Sequence, residues 1–298
     1  MRPGHRRIER MGRALAALLL LCWLPQACLA AGRHCLWEMK GQHNTVYLLG
    51  SVHMLKVADS ALPPEILAAY ARSGALMMEL DLNDASADAL LGNGMDATLL
   101  PEGESLSSVL GPELHAAFEA RARPLGLEPE VTERFQPWFA ALVVEQMVLA
   151  QSGFEAGAGI DMQMVRRAQA DHKPVIALET IAEQLGYFSN LSLEQQRQFL
   201  RATLKGLDTE RSDMGSLVSA WQRGDTEELE RLMHREAAES PELFRVLTTD
   251  RNRSWLPKIA ALLDGSRDYL VIVGALHLIG DEGIVQLLRR QGRVVVQQ

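Results

Sequence analysis

Four short apolar runs constrain this chain more than any other feature: VYLLG at 46–50, ALMME at 75–79, PVIAL at 174–178 and YLVIVG at 269–274. Each is continuous rather than alternating, and as a set they are β-branched or aromatic in part. That pattern predicts strands covered by helices on both faces. The segments between them carry apolar residues at helical spacing, punctuated by Pro and Gly. The expected fold class is therefore α/β: a mostly parallel central sheet flanked by helices, with a helical insertion between two pseudo-symmetric halves. The helical insertions are placed near 84–160 and 186–264. HCLWEMKGQHNTVYLLGSVH, at 34–53, predicts a hairpin turning at KGQHN. A helix begun by Pro63–Pro64 and stopped by Gly74 separates the strands at 46 and 75, which predicts a parallel pair joined by a crossover helix. Ser192 and Gln195 have the spacing of a capping box for the helix that follows. No fixed-period repeat is present, only a loose echo: strand–GxxH, strand–Glu, then strand–Glu, strand–GxxH.

The first thirty residues stand apart. Arg2, Arg6, Arg7, Arg10 and Arg13 precede the apolar run ALAALLLLCWL and the small residues of PQACLAAG. This reads as a signal peptide (1–30) cut after Ala30, leaving a 31–298 domain in the periplasm or secreted. The apolar run is short for a membrane span, so no stable membrane insertion is expected after cleavage. A lipoprotein acylated at Cys28 and an uncleaved anchor are the alternatives. The leader carries five arginines and one glutamate, a net +4, so its removal takes the chain from −8 to about −12. An acidic chain argues against nucleic acid as a partner. Only Cys35 of the three cysteines then remains, so no intrachain disulfide is possible, and a structural role is assigned to it.

The polar residues that end the four runs carry the functional reading. Gly50 and Gly274 each precede a histidine by three positions, giving His53 and His277; the other two runs end at Glu79 and Glu179. In open parallel sheets, ligands bind beyond the carboxyl ends of the strands. The two glycines are expected to let the chain turn sharply, so that each histidine swings back over the strand tips. Neighbouring tips lie about 5 Å apart, so two imidazoles and a carboxylate from adjacent strands can share one ion or one water. That donor set suits a catalytic divalent ion such as Zn, Mn, Co or Fe. The other glutamate would be general base, or would orient an imidazole. Single residues of this kind are more often structural, and it is their joint occurrence at equivalent strand ends that points to a shared site. Asp81 and Asp161 are weaker candidates, the latter as a helix cap. Arg251 and Asn252, in TDRNRSW, form a polar pair able to bind a carboxylate or phosphate. Ser51 lacks the G-x-S-x-G surroundings of a nucleophile. His34, His43, His115, His172 and His234 read as surface residues.

Together VYLLGSVH, MMELDL, GIDMQMVRRAQADHKPVIALET, DRNRSWLPKI and VIVGALHLIGDEGIVQLLRRQG resemble the TraB/GumN family, which also includes the Tiki proteases. The resemblance covers about Cys35 to Val296. It implies a fold like that of the erythromycin esterases and the haem-binding ChaN proteins. From the Tiki branch it implies metal-dependent proteolysis of a peptide or protein substrate. His53 and His277 are implied first, then Glu79 and Glu179, with Arg251 and Asn252 orienting substrate or ligand. The same scaffold serves several chemistries. A non-enzymatic haem- or metal-binding module and a metal-independent esterase-like hydrolase therefore stand as alternatives to the metal-dependent hydrolase.

Overall fold

The computed structural model describes residues 33–81 and 95–298. The predicted leader and the start of the first helical insertion, 84–94, lie outside the described residues. β1 (Leu36–Lys40) and β2 (Thr45–Ser51) form the expected antiparallel hairpin. Asn44 Nδ2 ties its turn to the carbonyls of Leu262 and Arg267, at 2.7 and 2.8 Å. Helix α1 (Pro64–Arg72) buries Ile66, Ala69 and Tyr70 against the sheet and leads into β3 (Ala75–Met78). The longer elements that follow are α2 (Pro112–Ala122), α3 (Pro137–Gln151), α4 (Ile160–Ala170), β4 (Val175–Ala177), α5 (Ile181–Ser189), α6 (Leu193–Gln222), α7 (Thr226–Glu239) and α8 (Asp250–Ala261). The chain ends with β5 (Tyr269–Gly274), the short α9 (Ala275–Leu278), α10 (Ile284–Arg290) and β6 (Val295–Gln297).

The fold is α/β, a six-stranded, mostly parallel sheet flanked by helices, in the order β4-β3-β5-β2-β1-β6. β2 and β3 are parallel but do not pair with each other, contrary to the expectation of a directly paired strand–helix–strand unit. The last long strand, β5, enters between them and pairs with both. β5 is apolar throughout, and the centre of the sheet is where an uninterrupted apolar strand is covered on both faces. The same logic corrects β4. PVIAL reads as a doubly buried strand, but β4 is an edge, and Ile176 is 37% exposed.

Two apolar cores result. One lies around the sheet, with Leu48, Leu76, Val271 and Trp255 fully buried. The other is purely helical and includes Leu106, Phe118, Val144 and Leu200. α6 starts at the anticipated capping box: Ser192 Oγ accepts from Gln195 N–H, and Gln195 Oε1 accepts from Ser192 N–H. Cys35 is buried, and burial pushes its thiol up to about 12, consistent with an inert structural residue.

Candidate functional site

The strand order places the four polar strand ends on neighbouring strands. Along β4-β3-β5-β2, the tips carry Glu179, Glu79, the Gly274–His277 turn and His53. The register keeps them level: Met78 lies opposite Ala177 and Ile272, and Gly274 opposite Ser51. Beyond the last paired residues, the Glu179 N–H donates to the Glu79 carbonyl at 3.0 Å, which extends the ladder into the site.

The glycines act differently from the expected sharp turn. Gly50 is extended strand inside β2, and Gly274 has φ −49°, open to any residue. Space is what they provide. A Cβ on Gly50 would lie 2.9 Å from Ala275 Cα, so glycine lets β2 approach the turn that carries His277.

Arg251, on α8, occupies the centre of the cluster. Its Nη2 donates to Glu79 Oε2 and to Glu179 Oε1, both at 2.6 Å, and its Nε to Glu179 Oε2 at 3.3 Å. Its Nη1 donates to the Leu247 carbonyl at 3.1 Å and faces His277 Nε2 at 3.3 Å. That carbonyl belongs to a π-helical turn, Arg245–Thr249, directly before α8. The guanidinium also stacks 4.5 Å from the Trp255 ring. Glu179 accepts further bonds from Trp255 Nε1 (3.2 Å) and Gln184 Nε2 (3.0 Å). Glu79 Oε1 accepts from the Gly274 N–H at 2.7 Å. Burial alone would raise the Glu79 pKa; the charges of His277, His53 and Arg251 and the Gly274 N–H together hold it down at about 2.

The two histidines are held in the same way. His53 Nδ1 lies 2.8 Å from Asp161 Oδ2. An ionised carboxylate only accepts, so the proton sits on Nδ1 and Nε2 faces the site. Asp161 raises the basicity of His53, whose side chain is 66% exposed. His277 Nδ1 lies 2.7 Å from Asn252 Oδ1, while Asn252 Nδ2 donates to the Glu282 carbonyl at 2.9 Å. That second bond fixes the amide, so His277 also carries its proton on Nδ1 and turns a bare Nε2 inward. Burial lowers the His277 pKa to about 4, so the ring is neutral at pH 7. At that pH, Arg251 supplies the fixed positive charge that faces Glu79.

Gly274 marks where these groups converge. A Cβ there would stand 3.4 Å from His277 Cδ2, 3.5 Å from Glu79 Oε1 and 3.6 Å from His53 Nε2. These are ordinary contacts, so Gly274→Ala is expected to fold with a change in unfolding free energy below about 1 kcal/mol. Its methyl would fill the space the three side chains share, and any activity the site carries should fall at least tenfold. A melting curve and a rate measured on the same preparation check both halves.

Asp161 is thus a positioning partner of His53, more than the helix cap expected of it. Gly159 is a residue that sequence reasoning missed: a Cβ there would lie 2.1 Å from the His53 carbonyl oxygen. Only a glycine before Asp161 lets the two segments meet, and the GAGID spacing was the available signal. Trp255, Gln184 and the π-turn were also missed. Ser51 is buried, and its Oγ has no hydrogen-bond partner. His34 and His115 are half-buried and paired with Glu65 and Glu133, not free surface residues; His43, His172 and His234 are exposed.

Among the described residues, no three His, Cys, Asp or Glu side chains stand close enough together to hold an ion as they are placed. The donor set still fits a divalent ion in kind. It offers two imidazole Nε2 atoms, each oriented from behind, and one carboxylate; His53 Nε2 and Glu79 Oε1 border the cradle beside Gly274, while the His277 ring edges it through Cδ2 and points Nε2 at Arg251.

The model of the TraB/PrgY/gumN family matches residues 35–297. The protein named YbaP of Escherichia coli K12, uncharacterized, is 28% identical over 243 residues, covering 82% of this chain and 87% of its own. Its Shigella flexneri counterpart is 27% identical, covering 87% and 94%. Metalloprotease TIKI1 of Danio rerio is 24% identical over 313 residues, covering 86% of this chain and 61% of its own. No solved structure matches the chain.

Proposed function

The chain belongs to the TraB/PrgY/gumN family, and from that premise we propose that it is an exported, metal-dependent hydrolase of peptide or amide bonds. The observation that carries this reading is the convergence of His53 Nε2, Glu79 Oε1 and the His277 ring on the face of Gly274. The similarity to a metalloprotease supports the reaction class. His53, His277 and Glu79 would hold the ion, which when bound supplies Lewis acidity toward a water and a scissile carbonyl. Asp161 and Asn252 keep both Nε2 atoms aimed inward. Glu179, with four donors on its two oxygens, is built to anchor Arg251 rather than to ligate or to take a proton. Arg251 is the cation within reach of negative charge developing on a substrate oxygen. The leader supports export to the periplasm or beyond, the acidic chain a protein rather than nucleic-acid partner. Among the described residues, no helix is long and apolar enough to cross a membrane.

One observation favours a second reading. His53 is exposed and backed by a carboxylate, the arrangement of a general base with its orienting group. A metal-independent hydrolase would use His53 Nε2 to take the proton of the attacking water. A peptide-library cleavage assay separates the readings. For the metal-dependent enzyme, chelation should lower cleavage more than 100-fold and Mn, Co or Zn should restore it, while His277→Ala should stay inactive. Cleavage indifferent to chelator but lost in His53→Ala would sink the metal and leave the second reading. A Soret band on haem titration, without cleavage, would replace both by a haem-binding module.

A further inference from the structure

Arg251 stands where a bound ion would need its ligands free. Its contacts divide into two sets. Glu179, through two oxygens, and the Leu247 carbonyl of the π-turn hold one side. Glu79 Oε2 and His277 Nε2, on two of the three side chains that the metal-dependent reading uses as ligands, engage the other, while Glu79 Oε1 stays on the Gly274 N–H. The guanidinium and its partners are nearly all buried: Arg251 and His277 are each 8% exposed, Glu79 8% and Glu179 5%. A second full positive charge cannot enter such a space beside the first without a large Coulomb cost.

We infer that Arg251 is an internal counter-cation that holds two of the divalent ion's ligands, Glu79 and His277, and releases them by withdrawing onto Glu179 and the Leu247 carbonyl. The inference rests on the metal-dependent reading above. It accounts for two features which that reading leaves over: a second buried glutamate that is fully engaged, and a π-turn whose carbonyl faces the guanidinium. In the ion-free protein Arg251 neutralises Glu79 and keeps the site ordered. When an ion enters, Glu79 and His277 exchange one cation for another, and Arg251 keeps its anchor. Ion affinity is then a competition, and weakening the competitor strengthens binding.

The test is calorimetric titration of the full chain with Mn²⁺, after chelation and dialysis. Arg251→Gln should bind Mn²⁺ at least tenfold more tightly than wild type. Arg251→Lys keeps the charge but cannot bridge Glu79 and His277 together, so it should bind several-fold more tightly; it also serves if the glutamine variant does not fold. Arg253→Gln, which removes an exposed charge next along α8, should leave the affinity unchanged. Trp255 stacks on Arg251, so Mn²⁺ should alter tryptophan fluorescence in wild type and much less in Arg251→Gln. Wild-type binding with no tightening in either Arg251 variant overturns the competition and leaves the metal reading standing. Equal tightening in Arg253→Gln overturns it as well, since general charge would explain the gain. No Mn²⁺ binding by any of the proteins sinks both.

Discussion

Arg251→Met is expected to destabilise the ion-free chain by about 3–5 kcal/mol at pH 7, the cost of removing one partner from a buried charge cluster. In the native protein a single guanidinium serves two buried carboxylates, Glu79 and Glu179. Without it, two like charges face each other in a buried site, supported by the Gly274, Trp255, Gln184 and Tyr187 donors. The pH dependence should weaken. In wild type Glu79 is held at about 2, so the stability it contributes is present above its unfolded value of about 4.3 and is lost as pH falls below that. In Arg251→Met Glu79 loses one of the charges that hold it down, so its folded pKa rises toward the unfolded value, less of that stability is present at pH 7 and less is lost on acidification. Denaturant unfolding at pH 5 and pH 7, with chelator present, should show the gap between the two proteins narrowing at the lower pH. A variant as stable as wild type at both values would mean that the cluster is solvated and the buried ion network misread.

His53→Ala should lower hydrolysis by about 10²–10⁴-fold, with a stability change within about 0.5 kcal/mol, the range for an exposed position. The asymmetry follows from placement. His53 is two-thirds open to solvent at the end of β2, so little packing is lost. Its Nε2 nevertheless faces the cradle at Gly274, as do Glu79 and His277. Asp161→Asn retains a partner for the ring but removes the negative charge and permits the other tautomer. Its loss should be smaller than that of His53→Ala and in the same direction. Rates for both variants, set beside their unfolding curves, check the point. An active His53→Ala would remove the exposed arm of the site and with it both hydrolase readings.

Several features were legible because they depend on short-range pattern. The hairpin at KGQHN, the capping box at Ser192 and the buried character of β2, β3 and β5 follow from turn chemistry, side-chain hydrogen bonding and apolar periodicity, which act within a few residues. The positions of His53, Glu79, Glu179 and His277 at strand ends follow from the same reading. What sequence could not supply was the neighbour of each element. β5 inserts between β2 and β3, and so draws Gly274 and His277 between Glu79 and His53; strand order is set by long-range packing that leaves no local trace. Edge exposure of β4 follows from the same ordering.

The sequence by itself determined which strand ends carry imidazole and carboxylate, because the chemistry of a side chain and the period of its run are local properties. Only the tertiary structure decided that Arg251 would sit among them, that Asp161 and Asn252 would set their tautomers, and that Gly159 would be needed for His53 to meet Asp161. Those are contacts between segments 25 to 172 positions apart. They exist because a buried charge must find an opposite charge and a buried ring nitrogen a hydrogen-bond partner, wherever along the chain the fold happens to bring one.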